Sequence, residues 1–375
     1  MKEDGDWKSS DRRPPHGNTM FDDRSIIPEW ASLPPELVER IADLVVSTTS
    51  GVDAYMDMRA VCSSWRSSIS KPSPLVAVAD IRFRPRQWVM LDLESKNNDE
   101  DARLFLHLPT GRFRRLHLPM LRNNSIVGPT DGLLVLDDRE GRHLARVLNP
   151  LTRDMLHFPA QLYGHSYYTA VSGGSGSTLV LWLGKGSTVE CADPNSDFFM
   201  KKDIGMYLMG MVTFQGNVYY ARPDGWVFKL VRPTEQFHPE LVAQMPPDMD
   251  ILQCAQSKLV ESDGQLLLIR VTYQALKVFR VDVKHKLLEE VKTLGRRALF
   301  ISTKRCVSVD ADKLPSVDGD CIYMFHWMET YEYRGNFIRM YSLRDAMDNI
   351  SIGDLFERPF SLVQVLLHYC DSCFL

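Results

Sequence analysis

The chain has 375 residues, of which 44% are hydrophobic and 25% are charged, and its formal net charge is −4. This composition is typical of a folded globular protein, and the length allows two or three domains. The acidic balance argues against bulk binding to nucleic acid or to an anionic membrane, and no apolar run reaches the roughly 18 residues of a membrane span.

The first segment, residues 1–28, is rich in charged residues, Ser and Pro and has few large apolar side chains. It is predicted to be a disordered arm and lacks the apolar centre of a secretory signal. The seven cysteines are odd in number and lie mostly within apolar runs, which is typical of reduced, buried thiols. We therefore expect the protein in the nucleus, the cytoplasm or both, and not outside the cell.

Residues 29–72 are predicted to form a small helical unit. Pro34 and Pro35 are tolerated at a helix start, where the backbone N–H groups have no intrahelical partner, and Glu36 suits the positive end of the helix dipole. Four apolar residues then recur with helical spacing on one face of the first helix. They are Leu37, Ile41, Leu44 and Val45.

A polar break at 47–51 is followed by a second predicted helix over Ala54 to Lys71, which ends before Pro72 and Pro74. Five apolar residues share one face of this helix, namely Met58, Val61, Cys62, Trp65 and Ile69. A unit of about 40 residues rarely has a stable core of its own. We therefore expect it to pack on a partner or on a neighbouring domain.

The two ends of this unit resemble an F-box. The family pattern begins Leu-Pro-x-Glu-Leu and ends Arg-x-Val-Cys-x-x-Trp-Arg, and this chain has Leu33-Pro34-Pro35-Glu36-Leu37 and Arg59-Ala60-Val61-Cys62-Ser63-Ser64-Trp65-Arg66. F-boxes dock on the Skp adaptor of SCF ubiquitin ligases. The resemblance implies that seven residues build or present the docking surface: Leu33, Pro34, Leu37, Ile41, Val61, Cys62 and Trp65. Ile41 and Val61 fit a helix core equally well, and Trp65 fits both roles.

From residue 75 onward, short runs rich in Val, Leu, Tyr, Phe and Trp alternate with clusters of Gly, Asp, Asn and Pro, which is typical of strands and turns. The first four predicted strands are Leu75 to Ala79, Trp88 to Leu93, Leu104 to Leu108 and Phe113 to Leu118.

Two turn signals recur along this region. One is a glycine before an apolar strand, at Gly132, Gly176, Gly216, Gly264 and Gly319. The other is a strand-turn-strand signal at Pro109, Pro150, Pro194 and Pro233, with a degenerate copy at Val283 and a looser one at Ser342 to Asp345. Within four successive units the second signal follows the first by 17 to 19 residues.

A unit of 40 to 50 residues that holds several short strands has the period of a β-propeller blade. We predict a six- or seven-bladed propeller over residues 75–366, followed by a tail at 367–375. A pair of β-sandwiches is the alternative all-β arrangement, but it does not explain the constant offset between the two signals. The fold class is thus a small helical F-box followed by an all-β domain.

The second half also resembles the plant KIB-like β-propeller family, a domain often found behind an F-box. The resemblance rests on Asn149-Pro150-Leu151-Thr152, on the segments 278–282, 291–295 and 298–301, and on the strand 319–325. The family often has Asn where this chain has Asp320. Fold alone does not fix the ligand of such a domain.

No catalytic residues, metal site or cofactor site is predicted. His107, His117 and His157 occupy matching places in the repeats rather than metal-ligand spacings, and Cys370 with Cys373 makes only half of a zinc site. Arg112, Arg114, Arg115 and Arg122 form a basic cluster, interpreted as a solvated blade edge or as a site for an acidic partner segment. Aromatic residues near predicted turns, among them Trp226, suit a protein-binding surface or burial between blades.

The F-box resemblance implies a non-catalytic substrate-recognition subunit of an SCF-type ubiquitin ligase, and the lack of recognisable catalytic motifs agrees with it. The F-box would bind the Skp adaptor and through it cullin, and the propeller would bind a target protein. Two alternatives stay open. One is a propeller that binds or inhibits a partner without a ligase, and the other is an enzyme whose active site lies in the propeller channel, which would require clustered carboxylates or histidines there.

Overall fold

The computed structural model describes residues 30–48, 51–91, 101–138, 141–163, 168–174, 177–182, 186–231, 237–245, 254–272, 275–329, 334–345, 347–354 and 360–371. The predicted arm at 1–28, the turn at Gly176, the turn at Pro233 and Cys373 lie outside these residues. The described residues form five α-helices, in chain order α1 Pro35–Val46, α2 Gly51–Val61, α3 Ser63–Ser68, α4 Pro74–Ala79 and α5 Leu362–Asp371.

The strands form six sheets. Blade 1 contains β1 Trp88–Met90, β2 Ala102–His107 and β3 Arg112–His117; blade 2 contains β4 Asn124–Thr130, β5 Leu133–Asp138, β6 Leu144–Asn149 and β7 Asp154–Gln161; blade 3 contains β8 Tyr168–Val171, β9 Leu179–Trp182, β10 Thr188–Ala192 and β11 Met200–Asp203. Blade 4 contains β12 Gly210–Phe214, β13 Asn217–Ala221, β14 Val227–Val231 and β15 His238–Ala243; blade 5 contains β16 Cys254–Ser262, β17 Gln265–Thr272, β18 Leu276–Asp282 and β19 Leu287–Val291; blade 6 contains β20 Arg297–Ile301, β21 Cys306–Asp310, β22 Cys321–Glu329, β23 Arg334–Ser342 and β24 Met347–Asp354.

The predicted β-propeller is confirmed, and it has six blades. Blades 2 to 5 are four-stranded antiparallel meanders, and blade 6 has the order β21-β20-β22-β23-β24 with β20 parallel to β22. The glycine signal marks the turn between the first and second strands of a blade, as at Gly132, Gly216 and Gly264, while the proline signal at Pro150 and Pro194 marks the turn between the third and fourth. The constant offset is therefore the length of two strands and one connection.

The first-to-second turns of blades 2, 4 and 5 are tight hairpins with left-handed backbone at both central residues. In blade 2, φ is 53° at Asp131 and 77° at Gly132, and in blade 5 it is 51° at Asp263 and 73° at Gly264. Two successive positive φ values are the signature of a type I′ turn, for which Asp-Gly is among the preferred pairs. This is why the repeat could be read from the sequence.

Buried apolar clusters join each blade to the next. Val135 of blade 2 packs in one cluster with Leu181 of blade 3, and Val278 of blade 5 packs in another with Ile322 of blade 6. Equivalent clusters lie between blades 3 and 4 and between blades 4 and 5. Each sheet therefore buries both faces against its neighbours, as a propeller requires.

Blade 1 has three strands among the described residues, and α-helices complete its packing on both sides. On the side of blade 6, Leu366 and Leu367 of α5 are fully buried in a cluster with Leu106 of blade 1 and Phe300 of blade 6. On the side of blade 2, residues of α1 and α2 share a cluster with Phe105 and Leu136. The ring is thus closed with the help of helices that come before and after the propeller in sequence.

Two sequence predictions about local structure are wrong. Residues Leu75 to Ala79 form helix α4, not a strand, because the Ser73 hydroxyl caps the helix by accepting a hydrogen bond from Val76 N at 3.3 Å and Pro74 occupies the first turn. The single helix predicted over Ala54 to Lys71 is two helices, since Cys62 is extended and begins α3 as its N-cap. Helix α5 also crosses the boundary predicted between propeller and tail.

Among the described residues, no helix is both long enough and apolar enough to span a membrane.

Helix α5 offers a test of ring closure. Leu367 is fully buried, so Leu367→Ala should lower the free energy of unfolding by about 2–5 kcal/mol through lost burial and the cavity left behind. Urea denaturation followed by circular dichroism measures this loss. Leu287→Ala is the matched control, because Leu287 on β19 is exposed and its truncation should change stability by about 0.5 kcal/mol or less. Equal effects of the two substitutions would contradict the role of α5.

Candidate functional site

Helix α1 has two apolar stripes, and only one of them is buried. Val38, Ala42 and Val46 are at most 2% exposed. Leu37, Ile41 and Leu44 are 48%, 37% and 65% exposed. The larger aliphatic side chains therefore point to solvent, and the smaller ones pack inward. Large exposed apolar side chains on a helix are typical of a protein-docking surface.

The buried stripe packs directly on the propeller. Val38, Ala42 and Val46 belong to the same apolar cluster as Trp88 of blade 1 and Leu134 of blade 2. The helical unit therefore obtains from the propeller the core that about 40 residues cannot build alone. The exposed stripe is consequently held in a fixed direction relative to the ring.

The seven predicted docking residues fall into two groups. Pro34, Leu37, Ile41 and Val61 are exposed, and Val61 is 60% exposed at the end of α2. Leu33, Cys62 and Trp65 are half-buried. We call the exposed apolar residues of this unit the docking patch; its members are Trp30, Leu37, Ile41, Leu44 and Val61.

The half-buried group holds the patch in shape. Leu33 and Trp65 pack against the shared apolar cluster. The Trp65 indole Nε1 donates to the carbonyl of Trp30 at 2.9 Å, and the Cys62 sulfur accepts from Trp65 N at 3.4 Å. Trp65 therefore fixes the short 3-10 helical turn Trp30–Ser32 that leads into α1, while Cys62 caps α3.

A charge cluster fastens α2 to blade 1. Asp53, only 2% exposed, accepts hydrogen bonds from both Arg112 and Arg114 of β3, and Arg114 also reaches Asp57 at 3.0 Å. Buried carboxylates need such partners, because an unpaired buried charge is strongly unfavourable. Two members of the predicted basic cluster are thus committed to the helical unit.

The other two members of that cluster differ. Arg122 pairs with the buried Asp101 of its own propeller, and Arg115 is exposed. The basic cluster is therefore mainly a set of structural ion pairs at the blade edge. Sequence reasoning missed Asp53 because it stands between the predicted break at 47–51 and the helix predicted from Ala54, and its partners are about 60 residues away.

Tyr55 supplies a second anchor on α2. Its hydroxyl donates to Ser70 O at 2.7 Å, and its ring meets Phe83 edge-on with 5.1 Å between centroids. Burial raises the pKa of this hydroxyl above its usual value, while nearby Arg59 opposes the shift. Arg59 donates to Ile69 O at 2.6 Å, so the end of α3 is held from the same helix.

The segment between the helical unit and blade 1, residues 77–88, lies across one face of the propeller. Arg84 is 4% exposed and donates to Val78 O, Val171 O and Ser172 O and to the Asp131 carboxylate at 3.1 Å. The carbonyl of Pro85 would lie 1.8 Å from a Cβ at position 132. Gly132 is therefore required by close backbone approach as well as by its turn.

Asn149 gives a structural reason for the Asn149–Thr152 turn. Its side-chain amide is fully buried and donates to Ala77 O at 2.9 Å and Phe83 O at 2.8 Å. Its side-chain oxygen accepts from the backbone N–H groups of Leu151 and Thr152. This one side chain shapes the turn between β6 and β7 and also holds the segment from the helical unit.

These contacts define two faces of the ring. In an antiparallel meander, the turn between the first two strands and the turn between the last two lie at the same end. Segment 77–88 meets such turns at Gly132, Asn149, Gly173 and Gly216. We call this the helix face and the opposite one the distal face. Tyr207, before β12, and Trp226, between β13 and β14, lie on the distal face.

A cavity of about 630 Å³ lies among the innermost strands. Five strands surround it, and each contacts the next in the order β4, β8, β12, β16 and β21. Its lining carries seven cationic side chains and four carboxylates. The cations are Arg86, Lys258, Arg296, Arg297, Lys304, Arg305 and Lys313.

Three of the four carboxylates lie beside arginines. Asp131 pairs with Arg84, Asp310 Oδ2 lies 3.3 Å from Arg296 Nε, and Glu261 Oε1 lies 4.0 Å from Arg86 Nη1. Burial raises the pKa of Asp131 and of Glu261, and the nearby arginines oppose each shift. Within the described ranges, no three His, Cys, Asp or Glu side chains are grouped so that they could hold a metal ion. Asp131, Asp310 and Glu261 are therefore ion-pair partners of arginines.

Comparisons with known proteins agree with this architecture. A family model described as the KIB1-4 beta-propeller matches residues 105–345, more than half of the chain. An F-box/kelch-repeat protein of Arabidopsis thaliana is 25% identical over 305 residues, which are 74% of this chain and 78% of that protein. The resemblance to plant F-box proteins with a KIB-like propeller is thereby confirmed, and both matches indicate a protein-interaction module.

Solved structures with related shapes are more distant. The WD40 domain of SCAP from fission yeast is 11% identical, with a TM-score of 0.37 over 72% of this chain and 84% of that one. The N-terminal domain of Nup159 is 8% identical, with a TM-score of 0.32 over 68% and 87%.

The charge cluster on α2 makes a direct prediction. Asp53→Asn should lower the free energy of unfolding by about 2 kcal/mol, because two arginine contacts lose their charged acceptor. Asp57→Asn is the control, since the Asp57 side chain is about half exposed and its ion pair is worth at most about 1 kcal/mol. Chemical denaturation at low and at high salt measures both. Equal losses for the two variants would show that Asp53 does not anchor the helices.

Proposed function

The chain belongs to the KIB1-4 β-propeller family, and we propose that it acts as the substrate-recognition subunit of an SCF-type ubiquitin ligase. The F-box, residues 29–72, binds the Skp adaptor and through it cullin, while the propeller binds the target protein. The observation that carries this proposal is the docking patch: Leu37, Ile41, Leu44 and Val61 face solvent, although Val38, Ala42 and Val46 of the same unit are buried against the propeller.

The exposure of the α1 stripe supports the interface role over the core role for these residues. A residue that serves only the helix core has no reason to be 37–65% exposed, as Ile41, Leu37 and Leu44 are. A stripe of aliphatic side chains at helical spacing is suited to insertion into a groove on a partner, where it loses contact with water. Ile41 and Val61 are therefore assigned to the interface.

The fixed attachment of the F-box explains how such a subunit works. Tethering a target converts its encounter with the ubiquitin-conjugating enzyme into an intramolecular one, with a high effective concentration. That gain is largest when the tether sets a productive geometry. The F-box is attached rigidly to the propeller by the shared apolar cluster, the Asp53 ion pairs and the hydrogen bonds of Asn149. No catalytic residue of this chain is needed.

We assign target binding to the distal face. The helix face is occupied over blades 2 to 4 by segment 77–88. The distal face presents Tyr207, 48% exposed, and Trp226, which stacks with Arg222 at 5.4 Å. Aromatic and arginine side chains are enriched at binding hot spots. A target held there lies on the side of the ring away from segment 77–88.

The same proposal places the protein in the nucleus, the cytoplasm or both. Among the described residues, Cys62, Cys191, Cys306, Cys321 and Cys370 are free thiols. Burial raises the pKa of Cys306 and of Cys321 to about 11. Such thiols are protonated at neutral pH and suit a reducing compartment.

The adaptor role is tested by binding of purified chain to the Skp adaptor. The double variant Leu37→Ala/Ile41→Ala should weaken binding by about tenfold or more, since each truncation removes aliphatic area from the interface. Isothermal titration calorimetry gives the affinity, and circular dichroism should show an unchanged fold because both side chains are exposed.

Leu75→Ala is the matched control, as Leu75 on α4 is 42% exposed and lies outside the docking patch; its affinity should equal that of the wild type. If folded wild-type protein fails to bind the adaptor, the ligase role is wrong. The propeller would then act as a binding module without a ligase.

A further inference from the structure

The axial cavity carries an excess of positive charge inside an acidic protein. Its lining has three more cationic side chains than carboxylates, whereas the whole chain has a net charge of −4. Like charges gathered in a cavity with low-dielectric walls repel one another more strongly than they do at the surface. An anion bound among these cationic side chains would reduce their mutual electrostatic repulsion.

Lys258 has the lowest exposed fraction of these cations. It is 5% exposed, lies on the innermost strand of blade 5, and its Nζ donates to Met209 O at 2.8 Å and to Thr303 O at 2.9 Å. An ammonium group has three N–H donors, so two neutral carbonyls leave one donor on a side chain that lines the cavity. Burial lowers the pKa of this group, with nearby Cys306 and Asp371 opposing the shift.

Arg297 provides a second group with spare donors. Its Nε and Nη2 both donate to the Ser308 hydroxyl, at 3.1 and 3.0 Å, and that hydroxyl also meets Ser262 Oγ at 2.7 Å. A guanidinium group has five N–H donors, and Nη1 is not used in these bonds. Burial lowers the pKa of Arg297, while Asp263 and Asp310 oppose the shift.

Other cationic residues of the lining are held in place by elements of the propeller. Lys304 and Arg305 occupy the turn between β20 and β21, and Arg305 lies over the Tyr369 ring of α5 at 5.3 Å. Three of the carboxylates are already beside arginines, as described above. The uncommitted donors of Lys258 and Arg297 therefore belong to a cavity whose lining has more cationic side chains than carboxylates.

We infer that this cavity binds a small, multiply charged phosphate compound, held by Lys258 and Arg297 within the ring of cations. Its volume of about 630 Å³ lies in the range of small-molecule sites, about 300–1,000 Å³. Phosphate groups match the fork of a guanidinium and the point charge of an ammonium. This site is separate from the docking patch and does not depend on binding of the adaptor.

The test uses the full chain without adaptor. The probes are inorganic tripolyphosphate and fructose 1,6-bisphosphate, with fructose as the uncharged match and sodium chloride at equal ionic strength as the salt control. The phosphates should raise the midpoint of thermal unfolding by at least about 3 °C at saturating concentration, and fructose and salt should not. If the sugar bisphosphate binds more tightly, the ligand is an organic phosphate. If tripolyphosphate binds more tightly, the ligand is an inorganic polyphosphate.

Arg297→Gln should weaken calorimetric binding of these probes about tenfold or more, because it removes a charge-assisted contact. Arg115→Gln makes the same charge change at an exposed position on β3 and should bind like the wild type. Lys258→Met is a second variant, compared with its own ligand-free melting curve so that lost stability is not mistaken for lost binding. Absence of binding at millimolar probe, or equal affinities in Arg297→Gln and Arg115→Gln, would overturn the inference.

Discussion

The packing of blade 1 is the constraint on which the rest of the structure depends. A blade is stable only when both faces of its sheet are covered, and this blade has three strands. Helices α1 and α2 enter its apolar cluster with blade 2, and α5 enters its cluster with blade 6. The F-box is thus part of the core of the propeller. One apolar stripe of α1 is buried in that core, and this leaves the other stripe exposed to solvent, where a partner can reach it.

The all-β architecture was predictable because its turns are local. Asp131-Gly132 and Asp263-Gly264 need positive φ at both residues, and only a few residue pairs adopt that backbone readily. The turn signals did not predict the exact number of blades, since blade 1 lacks the glycine turn and blade 6 adds the hairpin β20–β21. Asp320 also has a positive φ, of 61°, which suits the Asn that is frequent there in the family.

The failures have physical reasons as well. Val76 and Val78 favour a strand by propensity, but the Ser73 cap and Pro74 decide for helix α4. On α1, two apolar stripes compete for the core, and spacing alone does not tell which one the propeller buries. Asp53 and Asn149 act through partners tens of residues away. Contacts of that range follow from the finished ring and are not visible in a local pattern.

The involvement of α5 in blade 1 affects the order of events during translation. Blade 1 emerges early from the ribosome, yet one of its apolar faces is covered by a helix that follows blade 6 in sequence. Domains generally fold from the N-terminus as they are made, and exposed apolar sheet faces promote aggregation. All six blades must therefore be synthesised before α5 can cover this apolar face of blade 1. A nascent chain of this protein therefore spends most of its synthesis time with an open ring, until α5 is made.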